Sequence, residues 1–152
     1  MERAKVVAQY ANGKIIKGYT LDFFPNKDRF HVIPIDKPTD KPTEVVVNQL
    51  KAVFVVKDFN GNPQYIERKG YMEGDTPYGT TLEVTFGDGE VVVGSGMGIN
   101  LKRQGFFISP PDPKSNNLRV FVVCSAVKRI RQLLLKTGEY IEVPMPGRTM
   151  NS

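Results

Sequence analysis

Apolar residues recur at every second position along much of this chain, as they do in β-strands with one buried face. Residues 6–10 alternate in this way before an Asn-Gly pair at 12–13, and residues 82–86 do so before an Asp-Gly pair at 88–89. Such a pair between alternating segments predicts a β-hairpin, because a type I′ turn needs two residues with positive φ. The pattern therefore predicts two hairpins.

The two hairpin patterns belong to a longer internal repeat. A shift of 76 positions aligns the two stretches without a gap and places Gly18 on Gly94. A proline-rich stretch follows in each copy, and the match resumes two residues shorter, with Val53 on Val127. An internal duplication is the economical explanation.

Each copy predicts five strands. The second strand is long, from Ile15 to about Phe23 and from Val91 to about Asn100, and its internal glycine predicts a bend or a close backbone approach. The other strands follow as pairs of similar segments: RFHVIP and GFFISP, EVVV and RVFVV, AVFVVKDF and AVKRIRQLLL. The predicted fold class is therefore all-β.

The last of these segments, residues 127–135, fits two interpretations. Val127, Ile130 and Leu134 recur at the spacing of a helical face. The counterpart in the first copy is rich in β-branched and aromatic residues, which favours a strand. The repeat therefore predicts a strand at 127–135, and a helix is the alternative.

Five short strands with a bent second strand describe a small SH3-like barrel. The pattern V-x-A-x-Y-x-N-G-x-x-x-x-G at Val6–Gly18 resembles the Sm-like version of that barrel, and it recurs from Leu82 to about Leu134. The chain also resembles a bacterial family of tandem domains of unknown function. These resemblances imply two tandem five-stranded SH3-like (Sm-like) barrels related by internal duplication, and they imply no chemistry.

The repeat divides the chain into a first small barrel at residues 1–59, a second at 81–136, and a tail at 137–152 that we expect to be loose at its end. Residues 60–80 are rich in Gly, Pro and Asn, which predicts a linker without strands. The linker also carries several large apolar and aromatic residues, which favours packing against the barrels. A barrel of about 60 residues is marginal alone, so we expect the two to pack together.

Composition bears on the compartment and on the class of partner. The apolar fraction is 40%, and no apolar run reaches the length of a membrane-spanning helix. The N-terminus lacks the apolar run of a signal peptide and Cys124 is the single cysteine, which together predict a cytoplasmic protein without membrane contact. The net charge of +5 permits an acidic partner without indicating one.

The sequence shows no catalytic or metal-binding constellation. The stretch Gly94–Asn100, GSGMGIN, is similar to a phosphate loop, but a strand follows where that loop needs a helix N-terminus. His31 is the single histidine, whereas zinc sites take three or four protein ligands. We therefore expect no enzyme, no cofactor and no metal, with His31 on the surface and Cys124 as a small buried residue.

Residues 100–108 also resemble part of the PilZ domain, which binds cyclic di-GMP through an Asp/Asn-x-Ser-x-x-Gly motif. Asn100 and Gly105 match this motif, whereas Lys102 stands at the serine position and no upstream Arg-x-x-x-Arg motif is found. The likeness implies a degenerate ligand-sensing barrel.

Cations and an aromatic ring in the second copy fit a nucleic-acid contact, since cations meet phosphates and rings stack on bases, and an ordinary solvated face is the alternative. Two acids beside the segment FFPNK form another group, because in Sm-like proteins an Asp near this loop belongs to the RNA pocket. Capping of turns is the alternative for these acids. The predicted contact residues are Lys102, Arg103, Phe107, Lys128, Arg129, Arg131, Asp22 and Asp28.

These observations predict a non-catalytic binding or adaptor module of a bacterial cytoplasmic, signalling-type protein, acting through protein contacts. Open barrel edges can accept a partner strand. Sm-like binding of single-stranded RNA is the alternative, and a degenerate PilZ-like sensing barrel is the second alternative. A protein is the favoured partner and RNA the other, and the sequence leaves both a monomer and a homodimer open.

Overall fold

The computed structural model of the protein describes residues 3–37 and 41–148. Within them the chain forms eleven β-strands and two short 3₁₀ turns, which confirms the all-β class. None of the described residues belongs to a helix long and apolar enough to cross a membrane. The strands are β1 (Ala4–Tyr10), β2 (Ile15–Thr20), β3 (Arg29–Pro34), β4 (Thr43–Val46), β5 (Leu50–Val56), β6 (Thr80–Phe86), β7 (Val91–Gly96), β8 (Gly105–Ile108), β9 (Asn117–Val123), β10 (Val127–Leu134) and β11 (Glu139–Val143), and the 3₁₀ turns are Val47–Gln49 and Cys124–Ala126.

The strands form two antiparallel sheets. The first has seven strands in the order β4-β3-β2-β1-β5-β9-β8, and the second has four in the order β11-β10-β6-β7. One bridge between Ser95 and Ser109 joins β7 to the end of β8, with N–H···O distances of 3.0 and 2.7 Å. Below, residues 3–59 are the first half, residues 60–79 the connecting segment, and residues 80–148 the second half.

The two predicted closed barrels are not observed. The last strand of each predicted barrel pairs with the first strand of its own half, but a strand from outside that barrel occupies its other edge. β5 lies between β1 and β9, and β10 lies between β6 and β11. The second edge of β5 is therefore satisfied by the second half, and β4 is left at the end of its sheet. Both sheets remain open. A pair of tandem SH3-like units related by duplication stays a prediction.

The β5–β9 pair is a wall shared by two hydrophobic cores. On β9, Phe121 and Val123 pack into the first core with β1, β3 and β4, whereas Val120 and Val122 pack into the second with β6, β8 and β10. A strand that is buried on both faces needs apolar residues at successive positions rather than at alternate ones. This requirement explains the runs AVFVV in β5 and VFVV in β9.

The two halves use the same strand pairings, but in a different alignment from the predicted one. Phe30 pairs with Val45, and Phe106 pairs with Val122. The shift is thus 76 positions in the third strand and 77 in the fourth, so the second half gains one residue in the intervening loop. The predicted loss of two residues is wrong. The predicted shift of 74 positions differs by three from the observed shift of 77. An error of an odd number of positions turns every side chain of a strand to the opposite face.

Both predicted hairpins form, but their turns are not of type I′. Gly13 and Gly89 have φ of 93°, and among the described residues only glycines have positive φ. The N–H of Tyr10 donates to the carbonyl of Lys14 at 2.8 Å, and the second hairpin repeats this bond. Each loop therefore has three residues and ends in a glycine bulge, so only the glycine needs the left-handed conformation.

Gly18 and Gly94 lie where neighbouring backbones approach closely, which confirms one of the two predicted reasons for them. A Cβ atom would lie 2.1 Å from the Ile33 carbonyl oxygen at Gly18 and 2.7 Å from the Ser109 carbonyl oxygen at Gly94. Neither position has room for a side chain. β2 and β7 end earlier than the long strands predicted from the sequence.

Residues 127–134 form β10, which confirms the strand interpretation of this segment. The predicted loose tail is wrong for its described part. β11 pairs along β10, Met145 is buried in the second core, and the Arg148 guanidinium donates to the carbonyl of Cys124 at 3.2 Å. The repeat could not reveal this hairpin, because β5 has no following strand of the same kind. Residues 149–152 lie outside the described residues.

The connecting segment contains no strand and is bound to the loop between β8 and β9. The carboxylate of Asp112, 5% exposed, accepts the Tyr65 hydroxyl at 2.5 Å and the Arg68 N–H at 3.0 Å. The Arg68 guanidinium in turn donates to Asp75 at 2.8 Å. The hydrogen bond from Tyr65, followed by those from backbone N–H groups, lowers the pKa of Asp112 to about 2. The segment therefore packs on the second half.

Candidate functional site

The predicted contact residues Arg129 and Arg131 of β10 are engaged in ion pairs. Arg129 bonds to Glu142 of β11 and Arg131 to Glu83 of β6, with Nε–Oε1 distances of 2.6 and 2.7 Å. The Arg131 guanidinium also lies 3.9 Å from the centroid of the Tyr140 ring. The hydrogen bond between Arg129 and Glu142 raises the pKa of the arginine and lowers that of the carboxyl group. A phosphate would have to compete with these carboxylates.

The other predicted cations lie on exposed parts of the second half. Lys102 and Arg103 occupy the turn between β7 and β8, and Lys128 lies near the start of β10. None of the ion pairs among the described residues involves them. These three side chains are available to an anion. The predicted contact residues supply no exposed aromatic ring beside them.

Phe107, the predicted stacking ring, is half-buried against the first core. Its ring lies 5.0 Å from Phe121 and 5.9 Å from Phe23, measured between centroids. The guanidinium of Arg119 lies 4.2 Å from the Phe107 centroid. These contacts hold β8 against the first half and give the ring a packing role.

Asp22 completes the hydrogen bonding of β3. Its carboxylate accepts the His31 N–H at 2.9 Å, contacts Nδ1 of the exposed His31 ring at 2.7 Å, and accepts the Thr20 hydroxyl at 3.2 Å. Burial alone would raise the pKa of Asp22, but these hydrogen bonds lower it. β2 has already ended here, so the carboxylate replaces a strand partner. Asp28 is exposed and lies 3.5 Å from Arg29.

Among the described residues, no three His, Cys, Asp or Glu side chains are placed to share a metal ion. Cys124 is half-buried, and burial raises the pKa of its thiol. The glycine-rich stretch packs on β8: a Cβ atom at Gly96 would lie 2.6 Å from the Phe107 carbonyl oxygen. This stretch therefore serves a close strand contact rather than an open phosphate loop.

The outer edge of β4 has no partner strand among the described residues. The Val47 N–H donates to the Asp28 carbonyl at 2.9 Å, on the side of β3. Since successive residues of a strand point their N–H groups to opposite sides, those of Glu44 and Val46 point away from β3. β9, which pairs with β8 as β4 pairs with β3, holds β5 on this same edge. The edge that β4 leaves unpaired is therefore the edge on which its counterpart, β9, pairs with β5.

A surface on β1 and β2 combines cations and rings, and the sequence reasoning missed it. Tyr19 pairs with Lys5, and the Tyr19 ring meets Phe59 edge to face at 5.3 Å. The Arg3 guanidinium lies 4.3 Å from the Tyr19 centroid, and Lys5 Nζ lies 5.9 Å from that of Phe59. The signal was the alternation Lys17-x-Tyr19 on the strand that pairs with Lys5. The basic–aromatic face consists of Arg3, Lys5, Lys17, Tyr19 and Phe59.

Comparison with known families gives one match, to a family of unknown function (DUF6982), over residues 2–134. The chain belongs to this family. Membership of a family of unknown function was expected and is confirmed, whereas the likeness to Sm-like, SH3-like and PilZ domains stays a prediction. The DUF6982 match spans both halves and ends with β10. A search of curated proteins and a search of solved structures each found no match.

Proposed function

We propose that this protein is a non-catalytic adaptor module that binds an extended segment of a partner protein along the outer edge of β4. One observation carries the proposal: β9 already holds a strand, β5, on the edge that β4 leaves open. An unpaired strand edge is a template for another chain. Strand addition supplies main-chain hydrogen bonds, and pockets for alternate side chains supply specificity.

We also propose that the two halves are copies of one five-stranded unit of SH3-like type. Their shared pairings, their matching hairpin bonds and their paired glycines support this origin. If the halves are copies, β5 shows what fits the edge of β4. The segment is extended, about as long as the seven residues of β5, and apolar at successive positions.

The partner segment comes from another protein rather than from a second copy of this chain. If the occupant resembles β5, the strands that a second copy could offer are β5 and its counterpart β10. Each of these is already paired on both sides, β5 by β1 and β9, and β10 by β6 and β11. A cytoplasmic partner fits the single cysteine of the chain.

A peptide with the sequence of residues 50–58, LKAVFVVKD, is the probe for this proposal. We expect it to bind the full chain and to slow amide hydrogen exchange at Glu44 and Val46, as measured by NMR. Glu44→Pro removes one outward N–H, so we expect binding to be lost, and proline is tolerated on an edge strand. Glu44→Ala keeps the N–H and should bind as the wild type does.

Far-UV circular dichroism and the urea midpoint show whether Glu44→Pro is folded. A folded Glu44→Pro chain that binds the peptide as tightly as Glu44→Ala contradicts strand addition at β4. Unchanged exchange at Glu44 and Val46 in the wild type at saturating peptide contradicts it as well, whatever the variant does.

A further inference from the structure

The basic–aromatic face is an open surface of the seven-stranded sheet. Val6 lies in the first core, so its neighbour Lys5 points to the opposite face, and the paired residue Tyr19 points the same way. Lys17, two residues before Tyr19, is exposed on that face. The two rings are half-buried, so each presents part of its surface to solvent.

The cations of this face have no carboxylate partner within the described residues. The neighbouring acid Asp58 directs its carboxylate to the N–H of Asn60, at 3.1 Å. An uncompensated group of cations attracts a polyanion, because neutralising phosphates releases their bound counterions. The residues that form no salt bridge there are Arg3, Lys5 and Lys17.

The two rings select unpaired bases among polyanions. Arg3 already lies over the Tyr19 ring at 4.3 Å, so the ring face accommodates a flat group. Bases of single strands stack on aromatic rings and on guanidinium planes. The bases of a duplex are stacked on one another and offer no such face.

We infer that the basic–aromatic face binds single-stranded RNA, independently of strand addition at β4. RNA is favoured over DNA because RNA recognition usually targets unpaired loops and ends. The second half has no equivalent surface: Thr81, Val93 and Ser95 stand where the first half has Lys5, Lys17 and Tyr19. Each protein chain therefore binds one RNA strand.

Fluorescence anisotropy with a labelled U-rich RNA of about 12 nucleotides tests this inference on the full chain. Three phosphate contacts, from Arg3, Lys5 and Lys17, predict a slope of log K against log salt of about −2 for a single strand. Lys5→Glu with Lys17→Glu should lower the affinity at least about tenfold and reduce the slope by about 1.4. Lys102→Glu with Arg103→Glu changes the net charge equally and should cost less than about threefold.

Tyr19→Leu with Phe59→Leu should lower the affinity about tenfold or more and leave the salt slope unchanged, since leucine keeps the apolar contact but cannot stack. Urea midpoints check that each variant is folded. Equal losses from the two charge-reversal variants would overturn the inference, because they would show a response to net charge alone. Binding of duplex RNA, of oligodeoxythymidine or of a poly-Glu peptide as tightly as the U-rich RNA would overturn it too.

Discussion

The outer faces of two equivalent strand pairs, β1–β2 and β6–β7, differ in what lies over them. In the first half this face is open and presents Lys5 and Tyr19. In the second half, Thr81 and Ser95 stand at those positions and are only 6% and 7% exposed. The Thr81 hydroxyl donates to the Leu133 carbonyl. The same pairing pattern thus carries one open surface and one covered surface.

The connecting segment makes this difference. The Tyr71 hydroxyl is buried beside Ser95 with no hydrogen-bond partner among the described residues, and burial raises the pKa of Tyr71. Glu67 and Lys69 border a groove of about 380 Å³ together with Val93 of β7. A covered face loses its unpaired charges, because burying an unpaired charge is costly. The open face can keep them, and this contrast marks it as the surface that is free to bind.

The largest expected effect in this comparison is at the paired glycines. Gly18→Ala would place a Cβ atom 2.1 Å from the Ile33 carbonyl oxygen, so β2 would have to move off β3. We expect the free energy of unfolding to fall by about 4 kcal/mol, and by less for Gly94→Ala, whose contact is 2.7 Å. Gly70→Ala has no atom within 4 Å and is the control. A wild-type urea midpoint for Gly18→Ala would contradict this expectation.

The next effect concerns the attachment of the connecting segment. The pKa of Asp112 is about 2 in the folded protein, below the ordinary 3.8, so its contribution to stability is complete above about pH 4 and is lost as the pH falls through about 2. Asp112→Asn should flatten the pH dependence of the unfolding free energy in that range. Urea midpoints measured from pH 6 to 2 check it, with the exposed Asp36→Asn as control. Identical pH profiles for Asp112→Asn and the wild type would exclude this role.

A smaller difference in stability is expected between substitutions of Lys51 and Lys128. These lysines occupy equivalent positions, and each is the extra residue of a β-bulge. Lys51 is 8% exposed, and its Nζ lies 2.7 Å from Asp88 and 3.1 Å from Glu90, whereas Lys128 is exposed. Burial alone would lower the pKa of Lys51, but its bonds to the two carboxylates raise it. Lys51→Met should cost about 1–2 kcal/mol of unfolding free energy and Lys128→Met less than about 0.5 kcal/mol. Equal shifts in the urea midpoint would contradict the difference.

The smallest effect is expected at the exposed pair of Arg129 and Glu142. Exposed ion pairs contribute little, because water and salt screen them and two long side chains must be ordered. Arg129→Ala should therefore leave the urea midpoint of the chain unchanged within error. A clear loss of stability that persists at high salt would show that β11 depends on this pair.

The strands and hairpins were predictable because alternation and turn residues act over a few neighbouring positions. The turn type was not, since Asn-Gly suits a two-residue turn as well as a three-residue loop, and the strand geometry decides between them. The alignment of the two halves after the proline-rich stretch was wrong because both halves contain the dipeptide Ala-Val, at Ala52-Val53 and Ala126-Val127. The shift that aligns these dipeptides differs from the observed one by an odd number of positions. The basic–aromatic face could have been predicted from Lys17-x-Tyr19, once β1 and β2 were known to pair.

The sequence by itself determined the local features of this protein: period-two strands, glycines at close contacts, and two strands that are apolar at successive positions. Such strands must be buried on both faces, but nothing in their own residues says against what. Only the tertiary structure paired β5 with β9, placed β11 on β10 and laid the connecting segment over one half. Hydrophobic burial has no direction, and a strand edge accepts any strand in register, so these choices depend on the whole chain.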